Sequence, residues 1–196
     1  MHTWTEKDGG RPGEAVVIGV AIAIPQPYGD ELTRWRRDFG DPLALNIPPH
    51  VTLLPPTEID PATLPEVRRH LMAVAAGEKC FDIRLRGTGT FRPVSPVVFV
   101  QLSEGIAECE QLERRVRAGV LDRRLKFYYH PHVTVAHHLE DAALDRAYET
   151  LSDYQVTFRV DSFELFEHGD DGVWRPAERF GFDAVVADAG RDGTAQ

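Results

Sequence analysis

Residues 15–24 read AVVIGVAIAI, an uninterrupted apolar run that stops at Pro25. A run of this length without polar alternation predicts a strand buried on both faces, hence central in its sheet. Residues 30–39 (DELTRWRRDF) place Leu32, Trp35 and Phe39 at helical spacing and set Arg34, Arg36 and Arg37 outside, with Gly40 and Pro42 as stop signals. Residues 64–76 predict a second helix, with Leu64, Val67, Leu71 and Val74 on one stripe and Gly77 behind it. Residues 81–91 alternate Phe81, Ile83 and Leu85 against Asp82, Arg84 and Arg86, which predicts a half-exposed strand running into a glycine-containing bend. A strand over 97–102 and a helix over 106–121 follow; Cys109, Leu112, Val116 and Val120 form that helix's apolar edge. Residues 144–151 predict a fourth helix starting near Asp141. Residues 155–166 predict one strand, 168–172 a turn, and 173–182 a last strand.

Two short stretches stand out of this pattern. Pro49-His50-Val51-Thr52-Leu53 and Pro131-His132-Val133-Thr134-Val135 are each Pro-His-Val-Thr followed by an aliphatic residue. Val and Thr favour strands, and alternation puts His and Thr on one face with the aliphatic residues on the other. Pro55-Pro56 is expected to close the first strand. Each motif also ends a similar strand–helix–strand unit. His50 lies 34 residues after Val16, and His132 lies 35 after Val97. The repeat predicts an α+β fold of two pseudo-symmetric lobes, with sheets of antiparallel type, helices outside and the two motif strands facing each other across a central cleft. Residues 14–186 are read as one bilobal domain, between a loose arm at 1–13 and a frayed tail at 187–196.

The composition narrows the function classes. Hydrophobic residues make up 42% of the 196, enough for a real core. A formal charge of −9 argues against a binder of long duplex nucleic acid, although a local pocket can still take a small phosphorylated ligand. No run approaches the roughly 18 apolar residues of a membrane span, and acidic residues before the first apolar run argue against a signal peptide. Two cysteines, Cys80 and Cys109, make neither a disulfide scaffold nor a metal cluster. A reducing cytoplasm is the simple reading.

Two imidazoles and two hydroxyls about one cleft suit a phosphodiester. One neutral histidine takes a proton from water or a ribose hydroxyl, and the other, protonated, gives one to the leaving oxygen. Threonine hydroxyls donate to the non-bridging oxygens, where charge gathers in the transition state. A two-fold arrangement sets the histidines on opposite sides of phosphorus, as in-line displacement requires. This chemistry calls for no metal or cofactor, and no HxxxH, HxxEH or Asp-x-Asp pattern lies beside the histidines. A single His-Val-Thr would carry little weight. Two of them, at matched places in similar half-chains, carry much more.

The paired motifs resemble those of the two-histidine phosphoesterase superfamily. The chain looks most like its 2'-5' RNA ligase or RNA 2',3'-cyclic phosphodiesterase branch. The likeness runs over residues 16–182 and rests on His50 to Leu53, on Gly89-Thr90-Phe91, and on His130 to Ala136. It implies a bilobal α+β fold with a central cleft and metal-independent opening of 2',3'-cyclic phosphates to 2'-phosphates, action on related cyclic phosphodiesters, or reversible 2'-5' linkage. It makes His50 and His132 the catalytic pair, with acid and base not assigned between them, and Thr52 and Thr134 the phosphate-binding hydroxyls. The chain departs from RNA-processing members at His137, where an arginine is common; His138 follows it. An arginine would add a fixed cationic fork for phosphate.

Further candidates surround the motifs. Phe91 and Tyr129 are candidates for stacking on a base, and only one of Tyr128 and Tyr129 is expected to face the cleft. Arg92 is a candidate for neutralising phosphate, His130 for orienting the ring of His132, and Arg123, Arg124 and Lys126 for contact with longer RNA. His2, His70 and His168 need no role. The expected partner is a small cyclic-phosphate nucleotide or an RNA 3' end, and the expected state is a monomer. A non-catalytic binder of nucleotides or RNA ends, and a phosphoesterase for a non-nucleoside cyclic phosphate, are the alternatives.

Overall fold

The computed structural model describes residues 15–124 and 127–182. The predicted arm and tail, and Lys126, lie outside the described residues. Strands β1 (Val16–Ala23), β2 (His50–Ile59), β7 (Ser162–His168) and β8 (Trp174–Gly181) form one sheet in the order β2-β1-β7-β8. Strands β3 (Phe81–Thr90), β4 (Val97–Glu104), β5 (His132–His137) and β6 (Gln155–Val160) form the other, in the order β5-β4-β3-β6. All pairings are antiparallel. The repeat seen in the sequence is the repeat of the fold. β1 and β2 pair as β4 and β5 do, and each motif strand is the outer strand of its own sheet.

The helices are α1 (Tyr28–Phe39), α2 (Leu64–Ala76), α3 (Ile106–Val116) and α4 (Asp141–Thr150). α1 and α3 are exchanged between the lobes. α1 leaves β1 yet packs against β5 and α4, and α3 leaves β4 yet packs against β2 and α2. This exchange is why both sheets contribute to one continuous core. Ile18, Val20, Val51 and Leu53 belong to it from one side, and Val98, Val100, Val133 and Val135 from the other. Burying each of these aliphatic side chains is worth about 1.5–3 kcal/mol. The apolar backs of the motif strands thus anchor their polar fronts. Among the described residues no helix is long and apolar enough to cross a membrane.

Four expectations need correction. β2 does not close at Pro55-Pro56 but continues to Ile59; as an outer strand it can lack N–H donors on its open edge. Helix α3 ends at Val116, and residues to 121 finish in a separate 3-10 turn at Gly119–Leu121, with Gly119 at φ 61°. The stretch 155–166 is two strands, parted at Asp161, and they join different sheets: β6 pairs with β3, β7 with β1. Arg36 does not point outward; it is 5% exposed and ion-paired with Asp41 at 2.8 Å.

Candidate active site

β2 and β5 lie side by side, which brings the two motifs together. The register fixes what stands beside each of them. His50 is opposite Ala23 and Thr52 opposite Ala21. In the other lobe His132 is opposite Gln101 and Thr134 opposite Phe99. The lobes therefore share backbone geometry but differ in filling. Gly19 and Ala21 leave space over the first sheet, whereas Phe91 and Phe99 crowd His132, each with its ring centroid 5.0 Å from the imidazole.

Each histidine makes the same bond. His50 Nδ1 lies 2.7 Å from the carbonyl oxygen of Pro48, and His132 Nδ1 lies 2.7 Å from that of His130. A carbonyl oxygen only accepts, so Nδ1 carries the proton in both rings. In the neutral imidazole Nε2 is then the free base, and ring orientation is set from behind. The local sequence explains this. In each case the acceptor is two residues before the histidine, and the intervening residue is proline, whose fixed φ restricts the backbone between them.

The electrostatics of the two rings are linked. Burial holds His50 below the ordinary histidine value; its bond to Pro48 opposes that and the Arg36 charge adds to it. Burial pushes His132 down to about 4, with the His130 carbonyl opposing and the His130 and His50 rings contributing repulsion. The repulsion from His50 places the two imidazoles within electrostatic reach of each other and disfavours double protonation.

A cavity of about 200 Å³ opens beside His50; His132 does not line it. His50, Thr52, Thr134 and His137 line it, so both motif threonines meet in one space. Its further wall is Phe166 and Trp174, and Arg36 and Asp41 close one end. Sequence reasoning missed this end. The available signal was Leu32, Arg36 and Phe39 at i, i+4 and i+7, which sets the arginine on the buried stripe. Arg36 donates Nε to Asp41 at 2.9 Å, Nη2 to the Leu43 carbonyl at 3.3 Å, and Nη1 to the Ile47 carbonyl. It thereby ties down the loop that ends at Pro48, the acceptor for His50.

The remaining candidates fall in different places. His137 faces the cavity with its ring centroid 3.8 Å from that of His138, tilted by 35°; burial, then the His138 ring, lower it to about 4 against the pull of Asp41. His130 gives its carbonyl to His132 and lies with its ring 6.1 Å from the His132 ring. Phe91 packs edge-on to both rings, at 5.7 Å and 5.0 Å. Arg92 is engaged with α4, 2.7 Å from Asp145 and 3.6 Å from Asp141. Tyr129 packs on the core beside α3. Its hydroxyl is buried with no hydrogen-bond partner among the described residues, and burial raises its pKa. Tyr128 is the exposed one of the two. Arg123 and Arg124 lie exposed after the 3-10 turn. Among the described residues no group of three or more His, Cys, Asp or Glu is placed to hold a metal ion.

Comparison with known proteins agrees with this geometry. Proteins named "Putative phosphoesterase" are similar to the chain: one from Halalkalibacterium halodurans is 30% identical over 164 residues, covering 83% of this chain and 95% of its own. Another, from Geobacillus sp. strain WCH70, is 28% identical over 164 residues, covering 83% and 94%. Among solved structures, E. coli LigT complexed with 3'-AMP superposes with a TM-score of 0.66 at 18% identity, over 86% of this chain and 99% of that one. TT0787 of Thermus thermophilus superposes with a TM-score of 0.57 at 23% identity, over 85% and 97%. The family model described as the 2'-5' RNA ligase superfamily matches residues 24–172, which span both histidine motifs, all of the second sheet, and β2 and β7 of the first. With its two His-Val-Thr strands and its LigT-like fold, the chain belongs to the 2'-5' RNA ligase superfamily of two-histidine phosphoesterases.

Proposed function

We propose that the protein is a phosphodiesterase that opens 2',3'-cyclic phosphates to 2'-phosphates, on small nucleotides or RNA ends, with one of His50 and His132 as general base and the other as general acid. The observation that carries this reading is the matched Nδ1–carbonyl bond of the two rings, which leaves both Nε2 atoms available to exchange protons. One Nε2 takes a proton from water as its oxygen attacks phosphorus. The P–O3' bond breaks, and the other ring's Nε2 proton goes to O3'. Thr52 and Thr134 donate to the non-bridging oxygens.

Burial keeps both rings neutral before substrate arrives. The phosphodiester anion supplies the missing stabilisation, since a nearby negative charge raises a histidine's pKa. Repulsion between the rings then confines the proton to one of them, the division of labour that the reaction needs. The crystal structures of E. coli LigT with 3'-AMP, NADP+ and ATP support a small-nucleotide substrate.

The test is a product assay by phosphorus NMR. Chelator-treated protein is mixed with each nucleoside 2',3'-cyclic monophosphate and with a short RNA bearing a 2',3'-cyclic end. Clean formation of a 2'-phosphate supports the reading. A 3'-phosphate product, or turnover that requires added metal, overturns it.

A further inference from the structure

The two-histidine mechanism makes no use of Glu164. This residue is directly opposite Ala21 in the β1–β7 pair, and Ala21 is directly opposite Thr52 in the β1–β2 pair. Directly opposite residues project from the same face of a sheet. Glu164 therefore stands on the cleft face, two strand spacings from Thr52, or about 10 Å, with only a methyl group between. A second cavity, of about 210 Å³, lies at this position. It is lined by Ala23, the residue opposite His50, and by Glu164, Ser162 and Arg179.

The cations nearby do not consume this carboxylate. Arg179 donates Nε to Ser162 at 2.8 Å and Nη2 to Asp161 at 2.8 Å. Arg159 lines the same cavity and donates to Asp82 at 3.4 Å. Glu164 itself is half-buried and makes no hydrogen bond among the described residues. Burial raises its pKa, while the Arg179 charge opposes that. The second cavity shares no lining residue with the first, but the register sets Glu164 on the same sheet face as Thr52; a half-buried acceptor without protein donors there is matched to donors on the ligand.

We propose that Glu164 is a specificity-determining residue that reads the nucleobase of the substrate, accepting two parallel N–H donors from a guanine-type edge. This rests on the nucleotide reading above and deepens it. An ionised carboxylate has two oxygens and no donor, and it pairs with two N–H groups side by side. Guanine offers a ring N–H next to an exocyclic amine. Adenine and cytosine offer the amine next to a ring acceptor. Uracil offers one N–H between two carbonyls, which the carboxylate repels. On that face Ala21 and Ala23, opposite Thr52 and His50, present only methyl groups.

The experiment measures guanosine and uridine 2',3'-cyclic monophosphates with the full chain and with Glu164→Gln. Calorimetric binding of the two nucleoside 2'-monophosphates runs in parallel. Removing one negative charge near phosphate changes both ligands alike, so the guanosine-to-uridine ratio is the readout. The wild type is expected to favour guanosine roughly tenfold or more in kcat/KM and in Kd, as for a good bidentate base contact. Glu164→Gln is expected to bring both ratios close to one. No guanosine preference in the wild type, or a preference that survives in Glu164→Gln, overturns the proposal. Turnover without preference fails the base subsite and leaves the reaction standing. A guanosine-specific Kd that the variant abolishes, with no turnover on any cyclic phosphate, fails the reaction and leaves the subsite standing.

Discussion

Arg36 and Asp41 form an ion pair at 2.8 Å whose side chains are 5% and 2% exposed, at the closed end of the cavity that holds His50 and both motif threonines. The pair does structural work on the site. Asp41 also accepts the Leu43 N–H at 2.9 Å, and Arg36 holds the carbonyls of Leu43 and Ile47. The next carbonyl along, that of Pro48, accepts from His50. Arg36→Met strands a buried carboxylate and frees this loop. A loss of about 3–5 kcal/mol is expected, as when one partner of a buried pair is removed. Denaturant unfolding checks it. Arg36→Met combined with Asp41→Asn should recover part of that loss, because the uncompensated charge is gone.

His50→Ala and His132→Ala should each lower turnover by about 100-fold or more, within the usual range for general acid–base catalysis. Neither should change the far-ultraviolet circular dichroism, since the aliphatic backs of both strands are untouched. The double variant should lose little more than the worse single one, because the two rings act as a unit. Wild-type turnover in either single variant would sink the paired mechanism.

The matched Nδ1–carbonyl bonds make a spectroscopic prediction. Imidazole nitrogen spectra of the free protein should show both site histidines in the Nδ1–H tautomer at pH 7. Both should titrate below the ordinary value of about 6.5. Saturating inorganic phosphate should raise the apparent pKa of at least one. An Nε2–H tautomer at either ring would contradict the geometry.

Acid should weaken the fold through the same burial. His132 and His137 are held near 4 in the folded protein, against about 6.5 unfolded. Between those values the unfolded chain binds more protons than the folded one. Stability therefore falls as pH drops from about 6.5 towards 4, and this contribution levels off below that. Thermal unfolding at pH 7.5 and pH 5 measures the drop. In His137→Asn the drop should be smaller; an unchanged drop would remove His137 from the account.

Gly89 is opposite Phe99, and a β-carbon there would meet the Phe99 ring at 2.6 Å. Phe99 is buried, and its ring packs against His132. Gly89→Ala should cost about 1–3 kcal/mol of stability, as overpacking does. It should also reduce turnover by displacing the ring beside His132. A variant of unchanged melting point and activity would show that Phe99 yields freely.

Much of this molecule was legible along the chain. Patterning is a local consequence of which faces are buried: an unbroken apolar run marked β1, period 2 the two motif strands, and period 3.6 α1 and α2. The repeat was legible because both lobes use the same strand–helix–strand unit. Asp161 was not legible as a boundary, because residues on either side of it keep strand character. Their assignment to different sheets depends on partners distant in sequence, β3 for one half and β1 for the other.

The same division runs through the site. The sequence alone determined the His-Val-Thr pairs, since their alternation forces His and Thr onto one face. Only the tertiary structure decided the surroundings: the buried Arg36–Asp41 pair, the Phe166–Trp174 wall and the position of Glu164. These come from α1, β7 and β8, and meet the motifs through sheet register and helix packing. A charged residue looks solvated in a sequence. Whether it is buried, paired or left facing a cleft depends on what the rest of the chain brings next to it.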